Sequence, residues 1–202
     1  MARVVVGISG ASGSAVAVAL LRSLRELSVE THLVMSKWGA ITVEHECGLR
    51  PAALSELVTV VYRNGDLAAP IASGSFPVDA MIVVPCSART LASVAAGSGD
   101  TLLARAADVT LKERRRLILA LREAPLSSIH LRNAHEVSLA GGIVYPLVPS
   151  FYNKPSSIDE LVHDMATRLA GLAGFEVPST KHWGQDVTIH RTRAHPTDRS
   201  SS

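Results

Sequence analysis

A chain of 202 residues with 47% hydrophobic content is long enough to bury one well-packed core, so a single domain is expected. The formal net charge is only +2, and the lysines and arginines are scattered except in LKERRR (111–116), which argues against a nucleic-acid-binding face. The two cysteines, Cys47 and Cys86, lie far apart, which argues against a disulfide scaffold or a cysteine zinc site and suits a reduced cytoplasmic setting. With no signal-peptide pattern and no apolar run of membrane-spanning length, the expected location is the cytoplasm, without a membrane partner.

RVVVGI (3–8) opens the chain as a β-branched run. It breaks into SGASGS (9–14) and then into an Ala/Leu-rich segment whose apolar spacing predicts a helix over 16–27. ETHLVM (30–35) reads as a strand, and MSKW leads from it into a helix over 38–47. AMIVVP (80–85) is apolar on both faces, and PCSART carries it into a helix over 90–96. A helix over 102–114 precedes the strand RLILAL (116–121), from which LREAPLSSIHL runs into a helix over 128–140. GGIVYP (141–146) is the last strand. After NKPSS, Ser156 or Ser157 can cap a final helix over 158–172, with Asp159 and Glu160 in its first turn. From about Thr188 the text TIHRTRAHPTDRSSS is polar and aperiodic, which predicts a disordered tail (188–202) behind one domain over 1–187. Apolar strands alternating with helices give an α/β chain: a Rossmann-like, doubly wound parallel sheet covered on both sides.

In such a sheet, ligands bind beyond the carboxyl ends of the strands. There the glycines of SGASGS allow backbone N–H groups to approach an anion, and its hydroxyls add donors at a helix N-terminus. The spacing is G-x-x-G rather than the dinucleotide fingerprint G-x-G-x-x-G, and a simple tight turn is the alternative. Ser36 of MSKW and Ser87 of PCSART repeat the hydroxyl at a strand-to-helix turn. Taken singly each serine reads as an ordinary N-cap, but together these turns point to a pocket for phosphate or a polar ring. Arg122 and Glu123 leave the sheet together before Pro125, either as acid, base or phosphate-site organiser or as a local ion pair. The cations of LKERRR suit the C-terminal end of a helix. His130 and His135 lack metal-ligand spacing and read as structural or surface residues.

GISGASGS, HLVMSK, ASGSF, PCSARTLA, RAADVTLKERRRLIL, REAPLSSIHLRN and VPSFYNKPSS occur in an order and spacing that resembles the UbiX-like flavin prenyltransferases. These proteins are also named 3-octaprenyl-4-hydroxybenzoate carboxy-lyase partner proteins, or are counted among the components of phenolic acid decarboxylases. The resemblance covers residues 3–183 and implies the flavoprotein, flavin-dependent decarboxylase-like version of the fold. It implies that the chain takes reduced FMN and dimethylallyl monophosphate, joins the prenyl group to flavin N5 and C6, and makes prenylated FMN for a UbiD-like decarboxylase. It implies no metal, in keeping with the lack of an Asp-rich diphosphate–magnesium motif, and a homo-oligomer, often a dodecamer, with sites at subunit interfaces. By the same resemblance Gly10, Ala11, Ser12, Ser36, Ser87, Ala88, Arg89, Thr90 and Arg122 match positions that hold FMN. Tyr152 and Arg168 match those that hold the dimethylallyl phosphate, with Lys112 and Glu123 alongside. Arg105 and Glu46 fall at further pocket positions, and Trp183 matches a C-terminal aromatic that covers the site. Ser12, Lys112 and Glu123 carry the implied catalytic roles.

Two positions depart from the family. Val16 and Leu67 stand where relatives carry aromatics, which would remove π surface from the expected prenyl pocket. Two rival functions are open to such a chain. An FMN-dependent cysteine-type decarboxylase would show a PASANT-type loop and a Met-Asn pair, whereas this chain has PCSART and no such pair. A non-catalytic FMN-binding accessory protein of a phenolic acid decarboxylase would have no use for the leaving-group residues Lys112, Tyr152 and Arg168.

Overall fold

The structure is a computed structural model that describes residues 2–182. Trp183, the boundary at 187 and the tail over 188–202 lie outside the described residues. Six strands, β1 (Arg3–Ile8), β2 (Glu30–Met35), β3 (Val60–Arg63), β4 (Ala80–Cys86), β5 (Arg116–Leu121) and β6 (Ile143–Pro146), form one sheet in the order β3-β2-β1-β4-β5-β6. Every pairing is parallel, with Val4 of β1 opposite Thr31 of β2 on one side and Ala80 of β4 on the other. The helices are α1 (Ser14–Glu26), α2 (Lys37–Cys47), α3 (Ala88–Ala95), α4 (Leu102–Lys112), α5 (Ser128–Leu139) and α6 (Ile158–Ala173).

Alternate residues of the central strands feed two cores, as the two-residue period of a strand requires. Val4, Val6, Ile8, Ile82, Val84 and Ile118 pack against α1 and α6. Val5, Met81, Val83, Leu117 and Leu119 pack against α3, α4 and α5. Both faces of the sheet are therefore dry, and this is why its strands read as unbroken apolar runs. β3 escapes such a reading because it is a four-residue edge strand, VVYR, with alternating burial and β2 as its partner.

Hydroxyl caps set most helix starts. Ser36, Ser87, Thr101, Ser127 and Ser157 each accept a backbone N–H from the first turn. Ser157 is the residue that caps α6, while Ser156 donates its N–H to Glu160 at 2.7 Å. His130 is structural: with Ser127 it completes a capping box at α5.

Near the amino ends of β1 and β2, Arg3 pairs with Glu30 at 2.8 Å, and its guanidinium lies 4.6 Å from the Phe76 ring centroid. The buried His32 ring joins Glu30 and the Tyr62 hydroxyl, each at 2.9 Å. Hydrogen bonds from Arg3 and then His32 hold the Glu30 carboxyl at about 2, below its ordinary 4.5. A depressed carboxyl contributes stability that is complete above the unfolded value and is lost as pH falls through the folded one. Melting temperature should therefore decline between pH 4.5 and about 2, and Glu30→Gln should flatten that decline. An equally steep acid limb in the variant would remove Glu30 as its source.

Candidate active site

The strand order reverses between β1 and β4, and the crevice at this switch point is where a doubly wound sheet receives its ligand. The turns that leave the sheet here are tied together one step beyond each strand. Ser36 donates its N–H to Ile8 O at 2.9 Å, and Arg122 donates to Cys86 O at 3.0 Å. Ser9, almost wholly buried, donates its hydroxyl to Pro85 O at 2.9 Å and accepts the Ser87 N–H at 2.8 Å. That serine locks the glycine loop to the PCSART turn, a role its sequence context alone does not reveal.

Two glycines permit the close packing of α2 on β1 and its loop. A Cβ on Gly10 would lie 2.3 Å from Trp38 Cβ, and one on Gly39 would lie 2.3 Å from Ile8 O. What remains between the turns is a cleft of about 500 Å³. Of the residues singled out from the sequence, Gly10, Ser36, Ser87, Ala88, Arg89, Thr90 and Glu123 line it. So do Lys37, Trp38, Asn64, Asp100 and Thr101, which sequence reasoning did not single out. Asn64 follows the short edge strand β3, so its reach to the cleft became legible only with that strand.

The first N–H groups of a helix have no partner within the helix, and their fate here decides which turns can hold an anion. At α1 an internal carboxylate occupies the end: Glu46 accepts the N–H groups of the N-cap Gly13 and of Ser14 at 3.0 and 2.8 Å. At α4 they are taken as well, Leu102 and Leu103 by Asn64 O and Oδ1 and Ala104 by Thr101 Oγ1. α2 and α3 differ. Their serine caps take the N–H groups of Gly39 and Thr90, at 2.9 and 3.2 Å. Among the described residues no acceptor takes the N–H groups of Lys37, Trp38, Ala88 or Arg89, and all four residues line the cleft. Two helix N-termini thus open into one cavity, a donor arrangement that fits a phosphate. The glycine loop contributes close approach at Gly10 rather than the Gly13 and Ser14 amides, which an internal carboxylate already holds.

Burial opposes ionisation of Glu46, but hydrogen bonds from the Ser12 hydroxyl and from the Gly13 and Ser14 amides outweigh it and hold its carboxyl below the usual range. Glu46 works as the missing cap of α1, whose own N-cap, Gly13, has no side chain to offer. Glu46→Ala should cost about 1–2 kcal/mol in urea unfolding, the typical loss of a helix cap. An unchanged midpoint would refute that role.

The remaining expected residues are dispersed. Ser12 is exposed at the tip of the glycine loop, and Ala11 donates its N–H back to Ser9 O. Arg122 is exposed and, like Ala11 and Ser12, is not among the residues that line the cleft. It does not pair with Glu123, which is half-buried and accepts the Ala124 N–H at 3.1 Å. Tyr152 and Arg168 lie toward β6 and α6. Burial pushes the Tyr145 phenol up, Arg168 opposes this and Tyr152 adds to it, so the three share one neighbourhood. Arg105 leans on Ala72 O and pairs with Asp108 at 2.6 Å. Lys112 pairs with Glu113 beside Gly74 at the far end of α4. α4 starts at the cleft and runs 11 residues toward the opposite edge of the sheet. Ala104 is the last α4 residue on the cleft, and at 1.5 Å per residue the helix beyond it removes Lys112 by about 12 Å from the cleft of its own chain.

The Flavoprotein family matches residues 1–169. A probable UbiX-like flavin prenyltransferase of Bacillus subtilis is 45% identical over 181 residues, covering 90% of this chain and 89% of that one. This chain is a flavoprotein of the UbiX-like flavin prenyltransferase family. The crystal structure of AnUbiX (PadA1) in complex with FMN and dimethylallyl pyrophosphate is similar to it with a TM-score of 0.88 and 47% identity, covering 90% of this chain and 97% of that one. A dodecameric FMN-dependent UbiX-like decarboxylase from Escherichia coli O157:H7 is similar with a TM-score of 0.87 and 46% identity, covering 90% and 98%.

Against the family pattern, the expected loss of π surface needs correction at Val16. That side chain is 2% exposed and packs in the core with Ala166, Leu169 and Ala170 of α6, so an aromatic absent there is absent from the core and not from the cleft. Leu67 is exposed and does not line the cleft either. Among the described residues no helix is long and apolar enough to cross a membrane.

Proposed function

We propose that this UbiX-like chain transfers a dimethylallyl group from dimethylallyl monophosphate to N5 and C6 of reduced FMN, releasing phosphate. The observation that carries this reading is the cleft at the switch point, floored by Gly10 and served by the uncommitted N–H groups of α2 and α3. Ser36, Lys37, Ser87, Ala88, Arg89 and Thr90 would hold the FMN phosphate and polar chain there. FMN, when bound, supplies the nucleophilic positions that accept the prenyl group.

Cleavage of the allylic C–O bond leaves negative charge on the departing phosphate, and preorganised cations are the means of stabilising it. Arg122 and Arg168, with Tyr152, serve that end. Arg105, on the first turn of α4 and paired with Asp108, adds a cation to that end, whereas Lys112 serves it only from an adjoining subunit, since it lies about 12 Å along α4 from the last residue on its own cleft. Catalysis therefore requires a homo-oligomer, such as the dodecamer known for the Escherichia coli relative. Glu123 holds and moves the proton at the cleft, while Ser12, its hydroxyl bonded to Glu46, serves the reacting groups from the glycine loop. Tyr152 and Trp183 shield the allyl fragment from water. The product goes to a UbiD-like decarboxylase of aromatic acids in the cytoplasm.

Anaerobic incubation with reduced FMN and dimethylallyl monophosphate, followed by mass analysis of the released flavin, tests the reading. A gain of one dimethylallyl unit is expected. FMN recovered unmodified with both monophosphate and diphosphate donors would overturn the transferase and leave an accessory flavin-binding protein.

A further inference from the structure

Among the described residues Trp38 is the one aromatic that lines the cleft, and it is 61% exposed. An indole left open to water beside a cavity is an unsatisfied apolar surface, which a planar ligand can cover. Its backbone is held from several directions. Gly10 abuts its Cβ, the Ser36 cap fixes the turn in which it stands, and the Thr42 hydroxyl donates to its carbonyl at 3.1 Å. The two positions at which relatives would supply an aromatic do not serve this cleft, since Val16 is in the core and Leu67 lies elsewhere.

We infer that Trp38 is the aromatic wall of the flavin site: its indole packs along the bound FMN and sets much of the affinity. The inference rests on the reading of the cleft as an FMN site. Anchoring by Gly10 and Gly39 means that the wall exists before the ligand arrives, so little ordering is needed on binding.

The chain contains only two tryptophans, Trp38 and Trp183, so fluorescence can isolate the first. In Trp183→Phe protein, FMN titration should quench most of the remaining tryptophan emission. Trp38→Ala should raise the FMN Kd about tenfold, the scale of losing one aromatic stacking partner, whereas Trp38→Phe should stay near wild type. Circular dichroism and melting temperature would establish that both variants are folded. Should Trp38→Ala misfold, the Trp183→Phe quenching and the Trp38→Phe affinity decide the matter. Wild-type affinity in folded Trp38→Ala, or unquenched Trp38 emission at saturating FMN, would overturn the wall. Failure of the wild-type protein to bind FMN at all would overturn the cofactor reading instead, and the wall with it.

Discussion

Gly39→Ala should lower the unfolding free energy by about 3 kcal/mol, the upper part of the range for overpacking a tight contact, and should abolish FMN binding. The added Cβ would meet Ile8 O at 2.3 Å and Ile8 C at 2.8 Å, both backbone atoms of a fully buried strand end. Neither can yield as a flexible side chain would. The same Ile8 carbonyl accepts the Ser36 N–H, so pushing α2 away breaks the tie that holds the second turn against the first. The N-terminus of α2 would then leave the cleft, taking the Lys37 and Trp38 amides with it. Gly171→Ala is the control, because nothing lies within 4 Å of a Cβ there and the position is within α6. That change should stabilise by about 0.5–1 kcal/mol, since alanine loses less freedom than glycine on entering a helix. Urea unfolding and FMN titration of the pair would separate the two effects. A Gly39→Ala protein as stable as wild type would show that α2 can shift without cost.

What the sequence discloses follows from which forces act locally. The central strands declared themselves because both faces are covered, so Val4 to Ile8 and Ala80 to Cys86 needed no partner to be recognised. β3 gains half its definition from β2, a neighbour that no window of sequence contains. Ser36 and Ser87 were legible as caps, and they are caps, yet they also line the cleft because the strands deliver both turns to one edge. The capture of the α1 N-terminus by Glu46 joins residues more than 30 positions apart, beyond any local pattern. Lys112 marks a different limit. Its place in RAADVTLKERR carried a family likeness with sites at subunit interfaces, but the likeness alone does not say that this ammonium in particular reaches a neighbour's cleft. Only the direction of α4 away from the sheet's carboxyl edge raises that question. Trp38 stands in MSKW as a bystander to its serine. Its exposure beside a cavity is what distinguishes it from an ordinary helix residue.

Glu123→Gln should retain FMN affinity within about twofold while prenylated product forms at least about a hundredfold more slowly, the lower bound of what a positioned acid or base contributes. The carboxyl stands at the end of β5 on the wall of the cleft, half-buried, with one oxygen fixed by the Ala124 N–H. Glutamine reproduces the shape and can still accept that N–H, so the turn before Pro125 should survive. What it cannot do is hold a transferable proton. Arg122 does not pair with Glu123 in the described structure, so the substitution leaves no orphaned cation and the loss can be read as chemistry rather than as a broken ion pair. Single-turnover formation of the prenylated flavin, measured beside FMN titration and melting temperature, distinguishes the outcomes. A variant that binds FMN and prenylates it at the wild-type rate would take Glu123 out of proton transfer. A variant that no longer binds FMN would make it a binding residue instead, leaving Ser12 and its Glu46 partner as the place to look for the proton.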